Sequence, residues 1–157
     1  MKPRIPPQKA FESFPQIANS LNSLSDAIHT TGLDAKLQIL LEIRASQING
    51  CGYCLNMHTQ EARVQGEDQQ RLDTLSAWRE LPWFSERERA ALHWCERLTE
   101  VSLGHPSDAD YENLNAHFNE KEILAITALV LKINSWNRVV AALHFIPERK
   151  TEAQSPV

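Results

Sequence analysis

Cysteine is scarce in this chain: three occur in 157 residues, and two of them share a single C-x-x-C. Such usage does not build a secreted disulfide framework, whereas in a reducing compartment a close pair points to catalysis or metal binding. A basic surplus is missing too. The formal net charge is -4, which gives no electrostatic footing for nucleic acid. No apolar run is read as approaching the roughly 20 residues needed to cross a bilayer. The opening Met1-Lys2-Pro3-Arg4-Ile5-Pro6-Pro7 lacks the apolar heart of a secretory signal. The cytoplasm is therefore the expected compartment, with neither membrane nor nucleic acid as a partner. Strand alternation, a glycine-rich phosphate loop and a solenoid repeat are also absent from the sequence. What remains is an ordinary globular balance, 42% hydrophobic and 23% charged, in a length that fits one domain over 1–157.

Both ends read as flexible, about 1–10 and 149–157. The first is rich in proline and basic side chains, and the second is polar with Ser155-Pro156 near its end. Between them the periodicity predicts an all-α bundle of about six to seven helices. Phe11, Phe14, Ile17, Leu21, Leu24 and Ile28 recur at helical spacing and stop at Thr31-Gly32. Asp34 is a plausible cap for a second helix carrying Leu37, Leu40, Leu41, Ile43 and Ile48, which Asn49-Gly50 ends. A third should close near Gly66. The fourth, from about Glu67, carries Leu72, Leu75 and Trp78 until Leu81-Pro82 breaks it. Ser85-Glu86-Arg87-Glu88 is a capping box for the fifth, on which Ala91, Leu92, Cys95, Leu98 and Val101 share a face. A short helix from Ser107 leads to another cap, Asn119-Glu120-Lys121-Glu122, and then to the longest apolar stretch, residues 123–145. That stretch is apolar nearly all round, which assigns it to the centre of the core or to a subunit contact.

The chemistry concentrates in Ser46-Gln47-Ile48-Asn49-Gly50-Cys51-Gly52-Tyr53-Cys54-Leu55-Asn56-Met57-His58. Side chains three, four and seven positions apart lie near one helix face, so Cys51, Cys54 and His58 form one stripe. Asn49-Gly50 breaks the preceding helix and lets a new one begin near Cys51, beside unpaired backbone N–H groups that favour a thiolate. An attacking sulfur, a second sulfur to resolve it and a base are thus present together, which reads as dithiol redox chemistry. A competing arrangement is half of a zinc site, with His58 as third ligand and Cys95 or His93 as fourth. Cys95 otherwise reads as core, since it shares a face with Leu92 and Leu98.

Three stretches together resemble a known family, the AhpD-like proteins of the carboxymuconolactone decarboxylase superfamily. The first is Arg44-Ala45-Ser46-Gln47-Ile48-Asn49-Gly50-Cys51-Gly52-Tyr53-Cys54 with Met57-His58-Thr59 following. The second is Trp78-Arg79-Glu80 with Ser85-Glu86-Arg87-Glu88-Arg89-Ala90-Ala91-Leu92, and the third is Ile133-Asn134-Ser135-Trp136-Asn137-Arg138. The resemblance implies an all-helical alkylhydroperoxidase core. It also implies that Cys54 is the peroxide-reactive thiol, Cys51 the resolving thiol and His58 the base. The implied substrate is a hydroperoxide, and the implied reductant an external dithiol, lipoyl-bearing in the best-known members. The same resemblance implies a homo-oligomer, trimer or hexamer, with no cofactor and no metal.

Two positions depart from the hydroperoxidase pattern. Its relay glutamate falls twelve positions before the first motif cysteine, where this chain has Ile39, and its histidine between the cysteines is Tyr53 here. Glu42, one helical turn after Ile39, is the candidate substitute acid. Two other functions compete with peroxide reduction: a dithiol–disulfide oxidoreductase acting on other substrates, and a redox-sensing module whose cysteines cycle without turnover.

Overall fold

From Asp34 onward, the α-helices of this chain start where a side chain satisfies an open N–H group of the first turn. The computed structural model describes residues 1–149, and all their regular structure is helical. The eight α-helices are α1 (Pro7–Ser13), α2 (Gln16–His29), α3 (Ala35–Ile48), α4 (Gly52–Val64), α5 (Gln69–Thr74), α6 (Glu86–Thr99), α7 (Asp108–Asn115) and α8 (Glu120–Leu143). Short 3-10 segments at Leu75–Glu80 and Val101–Leu103 flank α6. Asp34 accepts from the Leu37 N–H at 2.8 Å to open α3. Ser85, Ser107 and Asn119 each close a capping box, at α6, α7 and α8.

The count exceeds the expected six to seven because the first expected helix is divided. The ring of Pro15 disfavours the helical region for its predecessor, so Phe14 takes φ -144° and ψ 75° and separates α1 from α2. The helix expected from Glu67 through Trp78 is also shortened. It ends as α5 and continues as the 3-10 segment, kinked at Ala77. The first ten residues, expected to be flexible, are tied to the end of α8. The Arg4 N–H donates to Leu143 O at 2.9 Å and its guanidinium to Ala142 O at 2.8 Å, satisfying carbonyls that a helix C-terminus leaves open. The other end expected to be flexible lies, beyond Arg149, outside the described residues.

At the centre is α3, which buries Leu37, Ile39, Leu40, Leu41, Ile43 and Ala45 around its circumference and packs against α4, α6 and α8. Leu40, Leu41 and Ile43 are wholly excluded from solvent, where truncation to alanine costs about 2–5 kcal/mol. The sequence placed α8 either at the centre of the core or at a subunit contact. It packs against α2, α3 and α6, while Leu124 and Leu131 stay exposed. Its 24 residues are long and apolar enough to cross a membrane, by length and composition, which corrects the reading that no apolar run approaches such a span. In the fold more than half of its most apolar window is buried, and Ile126, Leu129, Val130 and Ile133 belong to the core.

Charged side chains enter this interior in two clusters among the described residues. One centres on Glu96 of α6, which accepts from Arg44 Nε at 2.6 Å, from Trp78 Nε1 at 2.8 Å and from Arg79. Burial opposes its ionisation, but hydrogen bonds from Trp78, Arg79 and Arg44 hold the carboxyl below the usual carboxylate range. The cluster joins α3, α6 and the first 3-10 segment. The other polar cluster lies across α3, next to the cysteines.

Candidate active site

The break between α3 and α4 is fixed from a distance. Gly50 sits at φ +64°, which glycine adopts without a side-chain penalty, and lets the chain reverse after α3. Asn49, the last residue before it, donates from Nδ2 to Asn137 Oδ1 at 2.8 Å and to Asn134 Oδ1 at 3.0 Å, both on α8. Asn137 in turn donates to Ser46 Oγ at 3.1 Å. Ser46 is buried, and its hydroxyl accepts this bond from α8. These contacts set Cys51 as the residue that caps α4, its sulfur accepting from the Cys54 N–H at 3.3 Å. Cys51 and Cys54 are joined as a disulfide, their Cα atoms 5.4 Å apart, within the ordinary span for such a bond.

One turn further along α4, His58 is buried, and its Nδ1 faces two carboxylates. Glu61 Oε2 lies 3.2 Å away and Glu42 Oε2 3.5 Å away. An imidazole nitrogen carries one proton at most, so only one of these oxygens can accept from it at a time. Glu42 is buried as well, and its other oxygen meets Lys132 Nζ at 2.8 Å. Lys132 also donates to Ser25 Oγ at 3.2 Å. Four helices therefore contribute: α2 through Ser25, α3 through Glu42, α4 through His58 and Glu61, and α8 through Lys132.

Beside this cluster opens a cavity of about 370 Å³. Cys54, Glu42, His58 and Lys132 line it, and Cys51 does not. Phe11, Trp136 and Phe145 form an apolar wall. The Phe11 ring meets Trp136 edge-on at 6.0 Å and Phe145 at 5.8 Å, geometries favoured by the ring quadrupole. Tyr53 completes the lining and packs on Phe145 at 6.2 Å. A buried thiol position, a base, carboxylates and a cation thus surround a space large enough for a small organic molecule.

Comparison with known proteins agrees with this architecture. The carboxymuconolactone decarboxylase family model matches residues 15–97. The chain belongs to that family. Among curated members, the uncharacterised protein YdfG of Bacillus subtilis is 38% identical over 104 residues, covering 66% of this chain and 71% of its own. A solved structure from Agrobacterium tumefaciens, of a protein of unknown function assigned provisionally to antioxidant defence as AhpD, superposes with a TM-score of 0.88. It is 33% identical and covers 95% of this chain and 100% of its own. The debrominase Bmp8 shares the fold alone, at 20% identity and a TM-score of 0.77 over 88% of this chain and 74% of its own. The protein is an AhpD-like member of the superfamily, as the cysteine motif led one to expect.

Within this family member the sequence-derived candidates fall unevenly. Cys54, His58 and Glu42 meet at one cavity, with Cys51 behind Cys54 in the disulfide. Ile39 is buried in the core, whereas Glu42 turns toward His58. The four-ligand zinc set is not assembled. Cys95 donates to Leu41 O at 3.4 Å inside the core, where burial pushes its thiol up to about 12. His93 is held by Asp110 at 2.6 Å and by Arg79 at 2.9 Å. Among the described residues, one group offers three metal-ligating atoms within 4.8 Å of one another, and it consists of Glu42, His58 and Glu61 without a cysteine. Trp136 packs at the cavity, while Arg138 bonds Asn134 and forms no ion pair among the described residues. Sequence reasoning missed Lys132 and Glu61. Lys132 had left a signal, as the one charged residue between Glu122 and Arg138 in an otherwise uncharged stretch.

Proposed function

We propose that this protein is a cytoplasmic thiol peroxidase that reduces hydroperoxides through a Cys51–Cys54 dithiol–disulfide cycle. The observation that carries the reading is the asymmetry of the pair, because Cys54 lines the cavity with His58 and Glu42 while Cys51 stands outside it. Cys54 thiolate attacks the distal oxygen of a hydroperoxide, the O–O bond breaks, and the alkoxide leaves as an alcohol after taking a proton. His58, having accepted the Cys54 proton, is placed to return it. The Cys54 sulfenic acid condenses with the Cys51 thiol, releasing water and forming the disulfide. An external dithiol, of lipoyl type by family resemblance, then reduces the disulfide and is itself oxidised. The sum is hydroperoxide plus dithiol giving alcohol, water and oxidised dithiol. Family resemblance further suggests a homo-oligomer, trimer or hexamer.

Peroxide consumption with dihydrolipoamide as the supplied dithiol tests this directly. Wild type should turn over, Cys54→Ser should fall to background, and Cys51→Ser should accumulate a sulfenic acid at Cys54 that dimedone traps. Trapping at Cys51 in Cys54→Ser, with none at Cys54 in Cys51→Ser, would reverse the two roles. Reversible disulfide exchange with the dithiol but no peroxide turnover would reject the peroxidase and leave a dithiol–disulfide oxidoreductase acting on other substrates, a chemistry the same pair could serve.

A further inference from the structure

A buried ammonium in an apolar helix is costly unless it is paired. Lys132 is such a group, 7% exposed on α8 and flanked by Leu131 and Ile133. Its two partners are not equivalent. Ser25 Oγ on α2, at 3.2 Å, satisfies one N–H, while Glu42 Oε1 on α3, at 2.8 Å, neutralises the charge. Glu42 therefore divides its oxygens, one on Lys132 and the other turned to His58 Nδ1 at 3.5 Å. A flexible carboxylate in a cavity wall has no other charged partner among the described residues to hold that split orientation.

We infer that Lys132 is a positioning residue for thiol activation, fixing Glu42 behind His58 so that the imidazole can hold the proton taken from Cys54. The inference deepens the proposed dithiol chemistry and rests on it. Lys132 acts at one remove from the reacting sulfur. Its ammonium holds one oxygen of Glu42 at 2.8 Å, which leaves the other turned to His58 Nδ1 at 3.5 Å. The titratable groups that share the cavity with Glu42 and His58 are His29 from α2, Tyr53, Cys54 and Glu61 from α4, and Lys132 from α8. Glu61 duplicates part of the contact to His58, but its side chain is 48% exposed and so is more strongly screened than Glu42 at 8%.

The decisive measurement is the rate at which iodoacetamide alkylates Cys54 in the reduced full-length chain, followed by peptide mass spectrometry over about pH 5–9. Lys132→Met should slow alkylation at neutral pH by about tenfold and move the acid limb to higher pH, with Lys132→Arg recovering most of the rate. The double variant Lys132→Met with Glu42→Gln should react like Glu42→Gln alone, because a residue acting through Glu42 has nothing left to act on. That comparison needs neither single lysine variant and relieves the unpaired carboxylate, so it decides the matter even if Lys132→Met does not fold. A further tenfold loss in the double variant, or a folded Lys132→Met with the wild-type rate and pH profile, would overturn the inference. Alkylation involves no peroxide. Were the peroxidase reading wrong, wild type would consume no hydroperoxide while these rate ratios persisted.

Discussion

Glu42 on the central helix α3 and Glu96 on α6 are equally buried, each 6% exposed, yet they are held by different kinds of partner. Glu96 faces Arg44, Arg79 and Trp78. Arginine keeps its proton at any working pH and the indole N–H does not ionise, so the partners of this carboxylate do not change charge with pH. Glu42 faces Lys132 and His58, and it borders a cavity. Burial by itself separates neither glutamate from the other. Arginine partners at the one and an adjoining cavity at the other are the difference, and under the proposed function they separate scaffold from chemistry.

Replacing Glu96 should test the scaffold half of that contrast with the largest effect. Glu96→Ala leaves Arg44 without its counter-charge and should cost about 3–5 kcal/mol in urea unfolding, with Cys54 alkylation in the folded fraction unchanged. A cost below about 1 kcal/mol would remove the distinction. The same residue predicts a pH dependence. Its folded carboxyl is held below the ordinary value of 4.5, so its stabilisation is present above that value and is lost as pH falls through the lower folded one. Glu96→Gln should therefore flatten the acid limb of stability against pH.

Glu42→Gln sharpens the other half, with a smaller effect of opposite character. The amide keeps size and hydrogen bonding but cannot carry charge, so Cys54 reactivity should fall about tenfold and lose part of its pH dependence. The accompanying loss of stability should be less than that of Glu96→Ala. An unchanged rate and profile would reduce Glu42 to a second structural carboxylate. The smallest effect belongs to a control away from the cavity. Ser107→Ala removes the cap of α7 and should cost about 1 kcal/mol without moving Cys54 reactivity at any pH.

What could be read in the sequence was local. Asp34, Ser85 and Asn119 sit beside the N–H groups they cap, so composition over four residues announces them. The stripe of Cys51, Cys54 and His58 follows from helical periodicity in the same way. The division at Phe14 was also local, but the hydrophobic spacing across Pro15 masked the backbone restriction that proline imposes. Other features required partners remote in sequence. Nothing near Ser46 announces Asn137, 91 positions away. Lys132 stood out as a lone charge, but its pairing with Glu42 depended on how α3 and α8 cross, and no spacing rule within one helix encodes that.

Cys95 supplies a built-in spectator for bench work on this molecule. Sealed against the Leu41 carbonyl and pushed up to about 12 by burial, it should stay silent to alkylating and colorimetric thiol reagents while the chain stays folded. Titratable sulfhydryls in the native sample should therefore count at most the motif pair, and none when the disulfide is closed. A third equivalent reports loss of the core. Redox state and structural integrity can thus be read from a single stoichiometry, with no label attached to the chain.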